Sequence, residues 1–148
     1  MARASALYDH IRKETCYSRA GIRLRLSDDY IRGLIEGEGC FGNQTNGKGQ
    51  KVPVFMLKMH VRDKELIEAI RDYLGLPDRV HEYRHQERHY ALLQVRDLGS
   101  LKNTVIPLFR GRLLGHKGTQ FEAWFKQYPY LWGPTNTRFH DKHTQKDM

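Results

Sequence analysis

Ile31-Arg32-Gly33-Leu34-Ile35-Glu36-Gly37-Glu38-Gly39-Cys40-Phe41 is the stretch that decides the fold. Just before it, Ser27 suits a helix N-cap, and Asp28 and Asp29 favour the positive end of a helix dipole. Tyr30, Ile31, Leu34 and Ile35 supply apolar positions at helical spacing, which predicts a helix over roughly 28–38. Two features of this helix are physically odd. Gly33 and Gly37 stand four apart on one face, where each glycine costs about 1 kcal/mol against alanine. Close approach of another backbone would offset that cost, as where two helices pack through small residues. Glu36 and Glu38 fall at the negative end of the dipole, where anions are disfavoured. No Lys or Arg occupies 39–41, so a cation must come from elsewhere, and a hard divalent ion on oxygen ligands suits the place.

Working outward, Cys40–Thr45 reads as a strand leading into the turn Asn46-Gly47-Lys48-Gly49. Lys51–Val61 alternates. Phe55, Leu57, Met59 and Val61 form one face, and Val54, Met56, Lys58, His60 and Arg62 the other. Asp63 is placed to cap a second helix over roughly 64–75, with Leu66, Ile67, Ile70, Tyr73 and Leu74 apolar and Gly75 ending it. A second hairpin is expected over roughly 79–96, from strands Val80–Arg88 and Tyr90–Arg96 joined near Gln86–Arg88. Leu98–Leu108 reads as a third helix and Gly118–Tyr128 as a last one, with Phe121, Trp124 and Phe125 in the core. The order predicts an α+β fold: one four-stranded antiparallel sheet with helices on one face.

The chain has 148 residues, about one domain. It divides into a basic N-terminal arm at 1–26, a folded domain at 27–130 and a polar tail at 131–148. Lys and Arg number 25 against 17 Asp and Glu, a net charge of +8, so an anionic partner is expected, nucleic acid or an acidic membrane surface. No apolar run approaches the roughly 20 residues that span a bilayer, and the N-terminus lacks the apolar region of a secretory signal. Cys16 and Cys40 make neither a disulfide framework nor zinc-ligand spacing. His81, His85 and His89 tempt a metal reading, but Glu82 and Arg84 interleave and favour a solvated or phosphate-facing strand. Cys40 reads as a small strand residue rather than a nucleophile.

The string 31–41 resembles the LAGLIDADG motif of homing endonucleases in its LIEGEG form, and the following elements keep that family's order over about 27–128. The resemblance implies the αββαββα homing-endonuclease fold, with a curved four-stranded sheet. It implies a single-motif homodimer whose motif helices meet through Gly33, Gly37, Tyr30 and Leu34. It implies Mg²⁺, or Mn²⁺ or Ca²⁺ in its place, held by Glu38, where Asp is more usual, and by the carbonyl of Gly37. Asp63 or Arg62 would stand at the water-positioning place, although Asp63 is equally readable as a plain N-cap. Lys117, with Arg112 as rival, would face the scissile phosphate.

The sheet would then lie on double-stranded DNA. Gln44, Lys48, Lys58, His60, Arg62, Glu82, Arg84, Gln86 and Arg88 are the expected contacts. Arginine matches guanine and glutamine matches adenine in the major groove. Arg84 is expected on the outward face, reading a base edge; the alternative is the face of His81, Tyr83 and His85. Arg19, Arg23 and Arg25, with Lys48 and Lys51, would serve phosphates. The implied function is an intracellular, Mg²⁺-dependent endonuclease cutting both strands of a pseudo-palindromic site, cytoplasmic in a prokaryote or organellar in a eukaryote. Neither a membrane nor a small-molecule substrate is expected. The rival is an RNA maturase of the same family. A regulator built on this fold would need a helix-turn-helix domain that 129–148 cannot supply.

Overall fold

Ser27 begins the first long helix as its chemistry predicts: its hydroxyl accepts from the Tyr30 N–H at 3.1 Å. The computed structural model describes residues 16–19 and 22–133, and places this helix, α1, at Asp28–Glu38. Before it, β1 (Cys16–Arg19) and β2 (Ile22–Arg25) pair antiparallel, and β1 runs alongside the second helix. Part of the expected basic arm is therefore a hairpin, because backbone pairing gives those residues a partner that composition does not announce. The rest of the arm, 1–15, and the tail from 134 lie outside the described residues.

Next come β3 (Gly39–Thr45), β4 (Lys51–His60), a 3₁₀ turn (Val61–Asp63) and α2 (Lys64–Leu74). β5 (Val80–His85) and β6 (Arg88–Val95) form the second hairpin. α3 is a helical run over 98–109 whose middle, Leu101–Val105, widens to a π turn just ahead of Pro107, which has no N–H to give. α4 (His116–Gln127) and a 3₁₀ turn at Pro129–Leu131 complete the described chain. Leu131 is buried and the Trp132 indole donates to the Phe125 carbonyl, so the packed domain runs past the boundary expected at 130.

The four long strands form one antiparallel sheet in the order β3-β4-β6-β5, so the two hairpins join through β4 and β6. One sheet face carries the core. Phe55, Leu57, Ala91, Leu93, Val95 and Val80 are all but fully buried there, against Ile31 and Ile35 of α1, Ile67 and Ile70 of α2, and Phe109 and Phe121 from α3 and α4. Phe41 of β3 ties the last two helices in, its ring 5.0–5.6 Å from those of Phe55, Phe109, Phe121 and Trp124.

Two turn signals act as their chemistry predicts. The Asn46 carboxamide accepts from the Lys48 and Gln50 N–H groups at 2.9 and 3.0 Å, and Gly75 takes a left-handed φ of 68° to close α2. Three other expectations are corrected. β4 stops at His60, and Val61–Asp63 turns as a 3₁₀ helix because the His60 ring accepts from the Arg62 N–H at 3.1 Å. Arg62 therefore leaves the strand alternation that would have aimed it with Lys58 and His60. Asp63 precedes α2 but makes no side-chain cap bond. In the second hairpin, Gln86 takes φ 58° in a two-residue turn with Glu87 and is off the strand.

Candidate active site and nucleic-acid interface

α1 buries Ile31 and Ile35 and turns its other side outward. Tyr30 is 46% exposed, Gly33 and Gly37 are exposed, and a Cβ added at either glycine meets nothing within 4 Å. Nothing in the described chain explains either glycine. Their helix-propensity cost is uncompensated within one copy, and the row they form is open to an incoming backbone. Leu34 borders this row but leans on the core. Gly39 has a different reason. A Cβ there would stand 2.4 Å from Ile35 Cγ2, so only glycine lets the chain turn from α1 directly into β3.

The two carboxylates at the end of α1 have different surroundings. Glu36 accepts a hydrogen bond from the Gly115 N–H. Gly115 is the N-cap of α4, has no side chain to cap with, and is followed by no acid in the first turn. Glu36 supplies that missing negative charge from across the fold. Sequence reading did not find this pairing, because 79 positions separate the partners; the uncapped, acid-free start of α4 was the available sign.

Glu38 is exposed and borders a groove of about 490 Å³ together with Lys58, His60, His85, Arg88 and Tyr90. Lys117 stands at the same junction. Its ammonium donates to the Gly39 carbonyl at 2.7 Å, supplying a cation at the negative end of α1. Arg112 is elsewhere: it lines a second groove with Asp28, Asp29 and Arg32 at the start of α1, about 15 Å of helix from Glu38. Arg112 and Lys117 thus line different places, Lys117 alone bonding at the α1–β3 junction. Asp63 does not line the groove beside Glu38.

Among the described residues, no group of three or more His, Cys, Asp and Glu could hold a metal ion. Glu38 and the Gly37 carbonyl are hard oxygen donors of the type Mg²⁺ and Ca²⁺ prefer. They are too few for a closed site in one chain, so they fit as part of a site completed from outside it. His81 and His85 share the outer sheet face, whereas His89 is turned the other way and pairs with Glu82 at 3.1 Å.

Strand register fixes the face opposite the helices. Cys40, Gly42 and Gln44 of β3, Met56, Lys58 and His60 of β4, Arg88, Tyr90, Leu92 and Gln94 of β6, and His81, Tyr83 and His85 of β5 share it. Lys58 sits over the Tyr90 ring at 5.0 Å, and Tyr90 stacks on Tyr83 at 5.6 Å. Lys48 is exposed in the β3–β4 turn. The expected outward direction of Arg84 and Glu82 is wrong. Val80 pairs with Leu93 in the core, and residues two and four further along keep its side. Glu82 is held there by Lys64 of α2 at 2.8 Å, and the Lys64 hydrogen bond, with a second from His89, lowers the Glu82 carboxyl pKa below its usual range. The alternative face, with His81, Tyr83 and His85, is the outer one. Arg25 is exposed at the groove that holds Arg112, whereas the side chains of Arg19 and Arg23 lie outside the described ones.

The α+β domain thus presents a helix with an open glycine row, ending in an exposed acid beside a basic sheet face. A sequence model of the LAGLIDADG endonuclease family matches residues 31–128, and the chain belongs to that family. It is 29% identical over 130 residues to "Probable intron-encoded endonuclease 3" of Neurospora crassa, covering 83% of this chain and 23% of that protein. The chain thus spans under a quarter of that curated relative. Among solved structures it resembles the homing endonuclease I-TnaI at 25% identity and TM-score 0.57, over 72% of this chain and 78% of that one. It also resembles the LAGLIDADG homing endonuclease I-LtrWI bound to target DNA, at 26% identity and TM-score 0.59, over 78% and 41% of the two chains. Among the described residues, no helix is long and apolar enough to cross a membrane.

Proposed function

We propose that this chain is a site-specific DNA endonuclease that acts as a homodimer with a divalent cation, Mg²⁺ by donor type, and cuts both strands of a pseudo-palindromic duplex. The observation that carries this is the geometry at the end of α1: an exposed Glu38 adjoins both the open Gly33–Gly37 row and the basic outer sheet face. A second copy docking its own α1 on that row brings two Glu38 carboxylates together between two sheets. Each sheet then lies along one half of the duplex. Lys58, His60, Arg88, Tyr83 and His81 face the major groove, and Lys48, Lys51 and Arg25 serve phosphates.

Glu38 and the Gly37 carbonyl would hold the cation with donors from the partner and the DNA. Bound there, it supplies charge neutralisation and water activation for phosphodiester hydrolysis. Lys117 fixes the Gly39 carbonyl, and so the direction in which Glu38 leaves the helix, and adds positive charge next to the backbone to be cut. The Neurospora relative is named a probable intron-encoded endonuclease; we propose that this chain too is intron-encoded and acts in an organelle or a prokaryotic cytoplasm.

Glu38→Gln tests the assignment. Size is kept and the charge that holds the cation is lost, so cleavage of a duplex selected by the wild-type protein falls below about one per cent in Mg²⁺ while gel-shift affinity stays within a few-fold. Cleavage near the wild-type rate would move the metal-binding role to another residue; selective binding of a structured RNA, with no DNA cut by the wild-type chain, would favour the maturase reading.

A further inference from the structure

The outer sheet face contains one arginine whose direction is set by another side chain. Arg96 directly follows β6, and the register that pairs Val95 with Phe55 sets it opposite Val54 on the central strand. Its Nη1 donates to the Gln44 side-chain oxygen of β3 at 3.0 Å, so the two residues bridge from β6 to β3 across β4. Beneath the bridge, Val54 faces outward by register yet has 0% exposure.

This arrangement does three things. It engages the Gln44 side-chain oxygen with arginine, which fixes the direction of both side chains. It holds a guanidinium that is still exposed, with N–H groups left over for a second partner. It also places that guanidinium on the outer sheet face at Gln44, near the β3–β4 turn. A planar fork held in place over the face that approaches the groove suits the O6 and N7 acceptors of guanine. Because Gln44 lies five residues along β3 from Gly39, the contact falls about 17 Å outward from the cutting centre.

The geometry points to Arg96 as a specificity-determining residue that reads one guanine in the outer part of each half-site, with Gln44 as the residue that positions it. This rests on the DNA-binding function proposed above.

The test is selection of bound duplexes from a pool randomised across the site, with wild type, Arg96→Lys, Arg96→Ala and Gln44→Ala in parallel. Wild type enriches guanine at one outer position per half-site. Arg96→Lys keeps the charge, so affinity for duplexes lacking that guanine stays within a few-fold, but the guanine preference at that position falls by about 10- to 100-fold. Gln44→Ala weakens the same preference and leaves other positions alone, and Gln44→Glu, which keeps the acceptor, restores it. Arg96→Ala removes the preference too. If both Arg96 variants keep every base preference and only bind more weakly, Arg96 is a phosphate contact and the proposal is overturned. If wild type enriches no sequence, the DNA-binding reading fails and the proposal with it. A guanine preference that survives Gln44→Ala unchanged removes the positioning role.

Discussion

Lys117 shows what one residue contributes at the candidate centre. Its ammonium meets the Gly39 carbonyl at 2.7 Å, where the dipole of α1 and the Glu38 carboxylate leave negative charge. Lys117→Met keeps the aliphatic stem and removes the cation. Cleavage rate is expected to fall about 10- to 100-fold, with duplex affinity changed only a few-fold; single-turnover cleavage beside a binding titration checks both. Asp78 is a residue whose chemistry works against the fold. One of its carboxylate oxygens is buried without a hydrogen-bond partner. Burial, then the charge of Asp97, pushes its pKa above 3.8, and its own backbone bond and Arg96 oppose this only in part. The fold therefore disfavours the ionised form. That cost is absent below pH 3.8 and grows as pH rises through the folded-state value. Asp78→Asn should raise the melting temperature at pH 7, with the gain shrinking toward zero as pH approaches 3.8. An unchanged or lower melting temperature at pH 7 would contradict this account. Neither residue's surroundings were legible in the chain, since the partners of Lys117 and Asp78 come from distant segments.

At the scale of elements, local chemistry was legible and direction was not always. The Ser27 cap, the glycine end of α2 and the Asn46 turn follow from side chains acting within a few residues of themselves. The inner face of β4 followed from alternation, whereas β6 alternated without showing which of its sides faced the helices. β5 showed no direction either, because Val80 is its only buried residue and the rest of the strand is polar on both sides. Its parity is set by pairing with β6 and by the Lys64–Glu82 bridge, both non-local. Arg84 therefore points to the helix side, and Arg84→Ala is expected to leave base preference unchanged in a panel of single-base variants, within about two-fold at every position. Any loss would be uniform across sequences, as for a charge acting only at long range. A position-specific loss would mean that β5 meets DNA with its other face. The 3₁₀ turn after β4 has the same lesson: the His60 ring captured a backbone N–H, and alternation stopped one residue early.

The whole molecule turns on a surface that one copy leaves open. Gly33 and Gly37 stood out in the sequence because glycine inside a helix is costly, and among the described residues nothing lies within 4 Å of a Cβ added at either. In the proposed dimer, the partner of this row and the remaining oxygen donors around Glu38 come from outside one copy. The account's central claim is that two α1 faces meet and bring two such centres to one duplex. Its most direct test is the stoichiometry of the cleaving complex, measured by sedimentation velocity with a wild-type-selected duplex at micromolar protein. The prediction is two chains per duplex for wild type, with both strands cut in Mg²⁺, and a shift to single chains without double-strand cleavage for Gly33→Leu, whose side chain would force the helices apart. One wild-type chain per duplex, cutting both strands, would contradict it.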